Sequence, residues 1–569
     1  MKIRRILLPV VLLLASAVVV PAAETRPAFR LLRAPAEARQ HAFWELDFQC
    51  DGVPKFNPHV RRLDAEVRCP DGTTRTVPAY WTRPHRFLRR EAPETLPDGG
   101  TRIRVVETPE PLADTPAHWR VRYTPMQPGL HQVRLLLVET PPDAPAVRRT
   151  LWQGAVAVAA AEGKGFLRRL PDRRDTLGYA DGSGFFAIGF NVCWPPGESG
   201  VSGYVHYLDR LHESGCNHTR LWLCTWGFQF ETPTPYAYDL GEAAQIDAVF
   251  AAARERGITI KLCLDNFHDF LHSPEAGPYF APNGPCRVRP DFFTDPEAIR
   301  IHAAKLRYVV ARYGGYPNLF AWELWNEMNY TLEYWWDTEA GAALTDAELA
   351  ERYYLPWTRQ AARRLRALDP YGHPVTTSLG WNEVWDALWR LPELDIVQQH
   401  SYIRRLPMWR DPVENDAAAL VLHTRARLAG FGRPTLLAEF GYMGTNEDNP
   451  FNDADTEGVA LHNALWAGAF SRHAGTPMIW WWDYYLERHD LYHHYRALAD
   501  FLAGVDWARP KQRLVGDNDP DVRVLVLMDD RWAGVWVQNR RATWRERVER
   551  GRTPPTLDDV TLQLAGFPP

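Results

Sequence analysis

Leu319-Phe-Ala-Trp-Glu-Leu-Trp-Asn-Glu327 is the stretch whose reading decides the fold. It is nearly all apolar until its last two residues, as a strand is when helices cover both faces of a parallel sheet. Thr435-Leu-Leu-Ala-Glu-Phe-Gly441 repeats the pattern. Working outward, similar runs occur at Phe185 to Val192, Thr219 to Cys224, Thr259 to Leu264, Val375 to Leu379, Ile396 to His400 and Pro477 to Trp482. Helical segments with recognisable starts lie between them: Asp295 precedes Pro296 at a first helical position, and Thr345-Asp-Ala-Glu348 reads as a capping box. Eight β/α units in about 320 residues predict an α/β fold, a (β/α)8 TIM barrel, over residues 165–506.

The flanks read differently. Residues 28–162 hold short alternating segments such as His41-Ala-Phe-Trp-Glu-Leu-Asp-Phe48, Leu63-Asp-Ala-Glu-Val-Arg68 and His131-Gln-Val-Arg-Leu-Leu-Leu-Val138. Asp71-Gly72 and Pro128-Gly129 mark turns, and the pattern predicts an N-terminal β-sandwich. Alternation returns after Trp507 in Val522-Arg-Val-Leu-Val-Leu-Met528, Trp532-Ala-Gly-Val-Trp-Val537 and Val560-Thr-Leu-Gln-Leu564, a small C-terminal β-module over 507–569. Roughly sixty residues bury little core, so this module is expected either to lean on the barrel or to be incomplete.

Lys2, Arg4 and Arg5 precede an apolar stretch from Ile6 to Val20, with small-residue cleavage options at Ala15-Ser-Ala17 and Val20-Pro-Ala22. This predicts a signal peptide over 1–23 and an exported chain, periplasmic or extracellular. Pro9 and Pro21 interrupt the stretch, which barely reaches the length of a bilayer span, so no stable membrane insertion is expected after cleavage. Charged residues make up 24% of the chain and its net charge is -5, without a Lys/Arg run to track phosphates, which argues against a nucleic-acid partner. Cys50 and Cys69 fall in one module and are candidates to pair, whereas Cys193, Cys216, Cys224 and Cys263 sit in apolar runs and read as core thiols. None has the CxxC spacing of a zinc site, so neither metal nor cofactor is expected.

In a barrel of this kind chemistry gathers at the C-terminal ends of the strands. Those ends offer, in order, Asn191, Arg220, His268, Glu327, Ser378, His400, Glu439 and Trp481 or Trp482. Two carboxylates displayed in this way can cleave a glycosidic bond, one as acid/base and the other as nucleophile. Glu323 shares the parity of Glu327 but lies deeper, and reads as a buried, paired carboxylate. Trp335 and Trp336 are further candidates for the cleft wall, and Asp483 after the eighth strand is a candidate substrate contact.

Asn326-Glu327 after the fourth strand, Glu439 at the end of the seventh, Gly215-Cys-Asn-His-Thr-Arg220 at the second and His400-Ser-Tyr402 at the sixth together resemble the clan A retaining glycoside hydrolases, family 5 in particular. The resemblance covers the barrel. It implies that Glu327 is the acid/base, that Glu439 is the nucleophile and that Arg220 supports it. Physical chemistry runs parallel. Arg220 and the Tyr402 hydroxyl would hold Glu439 ionised, and its charge would keep Glu327 protonated until the glycosyl-enzyme forms. Asn326 would donate to the sugar 2-hydroxyl, and Trp481 or Trp482 would lie under the reacting ring. His268 and His400 would line the pocket or hold the carboxylates. In the flank, Phe43-Trp-Glu45, Phe56-Asn-Pro58 and Trp119-Arg-Val-Arg-Tyr-Thr-Pro125 with Gly129 resemble the immunoglobulin-like module found before secreted glycosidase barrels.

The expectation is a retaining β-glycoside hydrolase with a carbohydrate substrate of mannan, β-glucan or galactan type. The alternatives are an exo-acting glycosidase or transglycosylase using the same carboxylates, and a non-catalytic carbohydrate-binding envelope protein. An ester-cleaving enzyme lacks support because no Gly-x-Ser-x-Gly elbow is present. Oligomeric state is not legible.

Overall fold

The computed structural model describes residues 27–95, 101–141, 144–195, 199–333, 344–381, 383–444, 449–515, 520–558 and 561. The signal segment, Trp335, Trp336 and nearly all of the 560–564 run lie outside them.

The N-terminal segment forms two sheets. One has the order Phe29–Arg33, Trp44–Cys50, His118–Tyr123, Tyr80–Thr82, and the other Glu37–Arg39, Val147–Ala159, Gly129–Glu139, Arg61–Arg68, Thr74–Pro78. Period-two alternation turns Trp44, Leu46 and Phe48 of the first sheet and Leu63, Ala65, Val67, Val133 and Leu135 of the second into one shared core. Gly72 and Gly129, read as turn residues, both adopt positive φ, a conformation that only glycine enters without steric cost. A separate ribbon pairs His85–Thr95 with Thr101–Pro111. Buried Arg122 joins this segment to the helices beyond it, donating to Asp247 Oδ1 at 2.6 Å and to the Arg312 carbonyl at 2.7 Å.

From Phe185 onward strands and helices alternate. His218–Trp222, Thr259–Cys263, Leu319–Glu323 and Val375–Thr376 form a parallel sheet in that order, and Val397–Ile403 pairs in parallel with Thr435–Tyr442. Asp395 N donates to Val375 O at 2.8 Å, linking the two groups. Isolated parallel bridges Ala187↔Gly475, Gly189↔His218 and Phe440↔Ile479 bring in the segments before and after. Eight segments thus neighbour one another in chain order, the last lying against the first.

The first and eighth of these segments were expected to be regular strands and are not. Their spacing is set by side chains: Asn191 Nδ2 donates to the carbonyls of Ala438 and Met478, both at 3.1 Å, and Gly189 N donates to Thr476 Oγ1. A Cβ at Gly189 would lie 1.8 Å from the His218 carbonyl oxygen, so the close approach requires glycine. The lower end of the strands is filled by Ala187, Phe320, Ile396, Leu436 and Ala474. Leu177 from a three-stranded antiparallel sheet (Arg168–Leu170, Arg173–Gly178, Gly184–Phe185) and Leu167 just before its first strand complete this plug. The two helix starts read from the sequence are present: Asp295 accepts from Glu297 N and Ala298 N, and Thr345 and Glu348 form a capping box.

Gln512–Val515, Val522–Met528 and Ala533–Asn539 form an antiparallel sheet. It is held to the α/β part through Arg523, which reaches Asp416 at 2.6 Å, and through buried Trp544, whose Nε1 donates to the Glu414 carbonyl at 2.7 Å. All seven cysteines are buried free thiols, so Cys50 and Cys69 do not pair; Cys69 Sγ lies instead 3.5 Å from the Tyr123 hydroxyl.

A buried ion cluster just past the end of the third strand gives the fold an acid-sensitive point. Asp265 accepts from His302 Nε2 and Lys305 Nζ, both at 2.9 Å, and Lys305 also pairs with Glu231 at 2.6 Å. Against the cost of burial, these partners lower the Asp265 pKa to about 2. Because the folded value is depressed, the stabilisation is present above the unfolded value near 4 and is lost as pH falls through 2. Urea titrations of the wild type and Asp265→Asn should therefore differ by roughly 2 kcal/mol at pH 6 and converge near pH 2.

Candidate active site

Strand parity places Arg220 and Trp222 on one side of the His218–Trp222 strand, and Arg220 becomes the centre of a buried network. Its Nε and Nη2 donate to Glu323 at 2.7 and 2.8 Å, its Nη1 to Glu439 Oε1 at 2.5 Å, and Nη2 again to Asn326 Oδ1 at 2.7 Å. Glu323 is fully buried and paired, as its depth implied. The Tyr402 hydroxyl donates to the other Glu439 oxygen at 2.5 Å. His400 Nδ1 lies 2.8 Å from Glu327 Oε1 and 3.3 Å from Glu439 Oε2, so one imidazole spans the two carboxylates.

Burial and the neighbouring Arg220 and Lys261 charges hold the His400 pKa well below the usual histidine value, leaving a neutral ring. Its Nδ1–H is then the donor toward the carboxylates, and Nε2 is buried with no partner among the described residues. Burial and the adjacent carboxylate raise the Tyr402 pKa, so the phenol keeps its proton as donor. Burial raises the Glu439 pKa, and the Arg220 charge and Tyr402 hydrogen bond oppose that rise.

Glu327 lies beyond the regular strand, in left-handed backbone at φ 49°. Such a conformation costs a non-glycine residue on the order of 1–3 kcal/mol and collects at functional sites. Ser378 Oγ holds it by accepting from Glu327 N at 3.0 Å. Asn326 Nδ2 is buried and without a partner among the described residues, free to donate to a ligand.

The remaining predicted residues separate. His268, near the start of the Phe267–His272 helix, packs against Trp222 and Trp226, with burial lowering its pKa to about 4. It lines an aromatic wall and makes no described hydrogen bond to either carboxylate. Trp481 is half-buried, its Nε1 donating to the Tyr442 carbonyl at 2.6 Å. Trp482 does not fit the expected platform: it is 2% exposed and packed edge-on against Trp194 and Trp480, a core residue with no face to offer. Half-buried Trp480, which sequence reading missed, lies 5.3 Å from Trp222, and that ring in turn lies 5.0 Å from the Arg220 guanidinium. Trp482→Ala should therefore cost about 3–5 kcal/mol of stability in denaturant melts, while Trp480→Ala should leave stability nearer the wild type.

Glu327, His400 and Glu439 present ligand atoms that all lie within 4.8 Å of one another, the spacing of a metal-binding trio. Both Glu439 oxygens already accept from Arg220 and Tyr402, and the guanidinium opposes a second cation. The donor set fits a hydrogen-bonded acid pair better than an ion.

No family model matches the chain. It is 25% identical over 303 residues to mannan endo-1,4-beta-mannosidase 3 of Oryza sativa subsp. japonica, covering 46% of this chain and 60% of that protein. It is also 25% identical over 215 residues to mannan endo-1,4-beta-mannosidase F of Aspergillus fumigatus, covering 35% and 43%. The chain thus spans less than two thirds of the length of these curated relatives. A crystal structure from Bacteroides vulgatus ATCC 8482, provisionally described as a glycoside hydrolase, shares the fold with TM-score 0.53 and 15% identity, over 86% of this chain and 84% of that one. The resemblance to family 5 glycoside hydrolases read from four strand-end motifs thus agrees with these relatives, and the chain is similar to the mannan endo-1,4-beta-mannosidases.

Proposed function

We propose that this chain is an exported, retaining β-glycoside hydrolase that acts on a mannan-type polysaccharide or oligosaccharide. The observation that carries the reading is the pair Glu327 and Glu439, whose nearest oxygens lie within 4.8 Å across His400. Carboxyl groups about 5 Å apart serve double displacement, whereas an inverting pair stands further apart to admit a water between them. The cycle of eight parallel neighbours supports a closed (β/α)8 barrel with the pair at its C-terminal mouth. The two-sheet segment before it supports an immunoglobulin-like sandwich, and the basic and apolar residues 2–20 support export. No helix among the described residues is long and apolar enough to cross a membrane.

In this reading Glu439 attacks the anomeric carbon as the glycosidic C–O bond breaks, and Glu327 gives its proton to the departing oxygen. Water then attacks the glycosyl-enzyme, Glu327 takes a proton from it, and Glu439 leaves as carboxylate. Arg220 and Tyr402 orient the nucleophile throughout, and Asn326 Nδ2 meets the 2-hydroxyl. Mannan is favoured because both curated relatives are named for it.

The test is reducing-sugar release from mannans, β-glucans, xylans and galactans, with the anomer of the first product followed by NMR. Release from mannan with retained configuration supports the proposal. Release from another polymer alone would overturn the substrate, and an inverted product would overturn the mechanism.

A further inference from the structure

Beneath the carboxylate pair lies a second polar layer that the reaction scheme does not use. Lys261, the one charged residue of the apolar strand Thr259-Ile-Lys-Leu-Cys263, is fully buried. Its Nζ donates to Gln398 Oε1 at 2.6 Å and lies 3.4 Å from Glu323 Oε2. Gln398 Nε2 donates to the other Glu323 oxygen at 2.5 Å. Glu323 in turn receives two hydrogen bonds from Arg220, whose remaining nitrogen holds Glu439. Four strands therefore contribute Arg220, Lys261, Glu323 and Gln398 to one closed plate under the nucleophile.

Resting on the retaining-glycosidase reading, we infer that Lys261 is a positioning residue of this centre: its ammonium balances Glu323, leaves the charge of Arg220 available to Glu439, and so sets the pH at which the nucleophile ionises.

The charge count carries the argument. Arg220 and Lys261 supply two positive charges against the two negative charges of Glu323 and Glu439. Without the ammonium one guanidinium serves two buried carboxylates, and each binds a proton more readily. A lone charge buried in an apolar strand is costly unless paired, and among the described residues Lys261 pairs with this plate alone. Facing it are Arg220 and His218 from the second strand, Glu323 from the fourth, His400 from the sixth and Glu439 from the seventh, with the thiols of Cys193 and Cys263 alongside. Burial lowers the Lys261 pKa to about 8 against the pull of Glu323, so the ammonium persists through neutral pH.

The test compares kcat/KM profiles against pH for the wild type, Lys261→Met and Lys261→Arg on one hydrolysed substrate. The acidic limb should move up by about one pH unit in Lys261→Met and return toward the wild-type position in Lys261→Arg, which keeps the charge. A lower kcat with an unmoved limb would reduce Lys261 to packing and overturn the inference. Melting temperatures of Lys261→Met, Glu323→Gln and their double variant supply a readout without turnover, with Lys261→Gln in place of Lys261→Met should the latter not fold. The double variant should lose less than the two singles combined, because it restores the charge balance; additive losses would overturn the plate. A wild type that hydrolyses no glycan would defeat the glycosidase reading, while the melting cycle would still decide whether the plate exists.

Discussion

On the proposed retaining mechanism Glu439→Gln should abolish turnover, with kcat falling on the order of 10⁴-fold or more, because the amide cannot act as the attacking carboxylate. The amide keeps the volume and can still accept from Tyr402, so the loss is one of chemistry and not of shape. Burial raises the Glu439 pKa, yet the carboxylate is one of two that face two buried cations, and its removal leaves Arg220 and Lys261 against Glu323 alone. The variant should therefore melt somewhat below the wild type while keeping a cooperative transition, which separates lost chemistry from misfolding. Residual turnover within about a hundredfold of wild type would remove Glu439 from the nucleophile role. The raised pKa also places the acidic limb of the wild-type profile above the ordinary carboxylate range, and kcat/KM measured down the pH scale should begin to fall before a free glutamate would protonate.

The parts of the fold that could be read in the sequence are those made by main-chain ladders. Leu319–Glu323 and Thr435–Tyr442 are buried at every position, so an apolar run identified them. The segments around Gly189 and Ile479 are apolar too, but Asn191 and Thr476 side chains take the place of ladder bonds there. Period alone cannot distinguish that arrangement from a strand. The Arg168–Leu170 and Arg173–Gly178 hairpin escaped for a different reason. It is short and charged and buries little beyond Leu170 and Leu177, so its pattern carries almost no hydrophobic signal.

The site divides along the same line. Arg220, His400, Tyr402 and Glu439 sit on regular strands, where parity dictates which side chains point inward, and the structure brings all four together. Trp480, Trp481 and Trp482 follow an irregular segment, where parity fails, and the most buried of the three was among those expected to face a ligand. Lys261 carried a signal that went unread: one cation in the middle of an apolar strand needs a buried anion, and Glu323 on the adjacent strand supplies it. The left-handed backbone of Glu327 had no signal at all, since glycine, the residue that usually marks such a position, is absent there.

Glu327→Ala should separate the two halves of the reaction. On the proposed mechanism natural glycosides, whose alkoxide leaving groups are strongly basic, need a proton from Glu327, so their kcat/KM should fall by about 10²–10⁴-fold. Aryl glycosides with acidic phenol leaving groups do not need it, and for them formation of the glycosyl-enzyme should be nearly unchanged. The second step still requires a base to activate water, and alanine provides none. On an activated aryl substrate the variant should therefore release a burst of phenol and stall, and mass spectrometry of the stalled protein should find one added glycosyl group on the peptide containing Glu439. Backbone geometry should survive the change, because Ser378 Oγ accepts from Glu327 N, a hold that the substitution leaves in place. Equal losses on natural and activated substrates would mean that Glu327 only shapes the pocket. A burst with no adduct on Glu439 would keep Glu327 as the acid and move the nucleophile elsewhere.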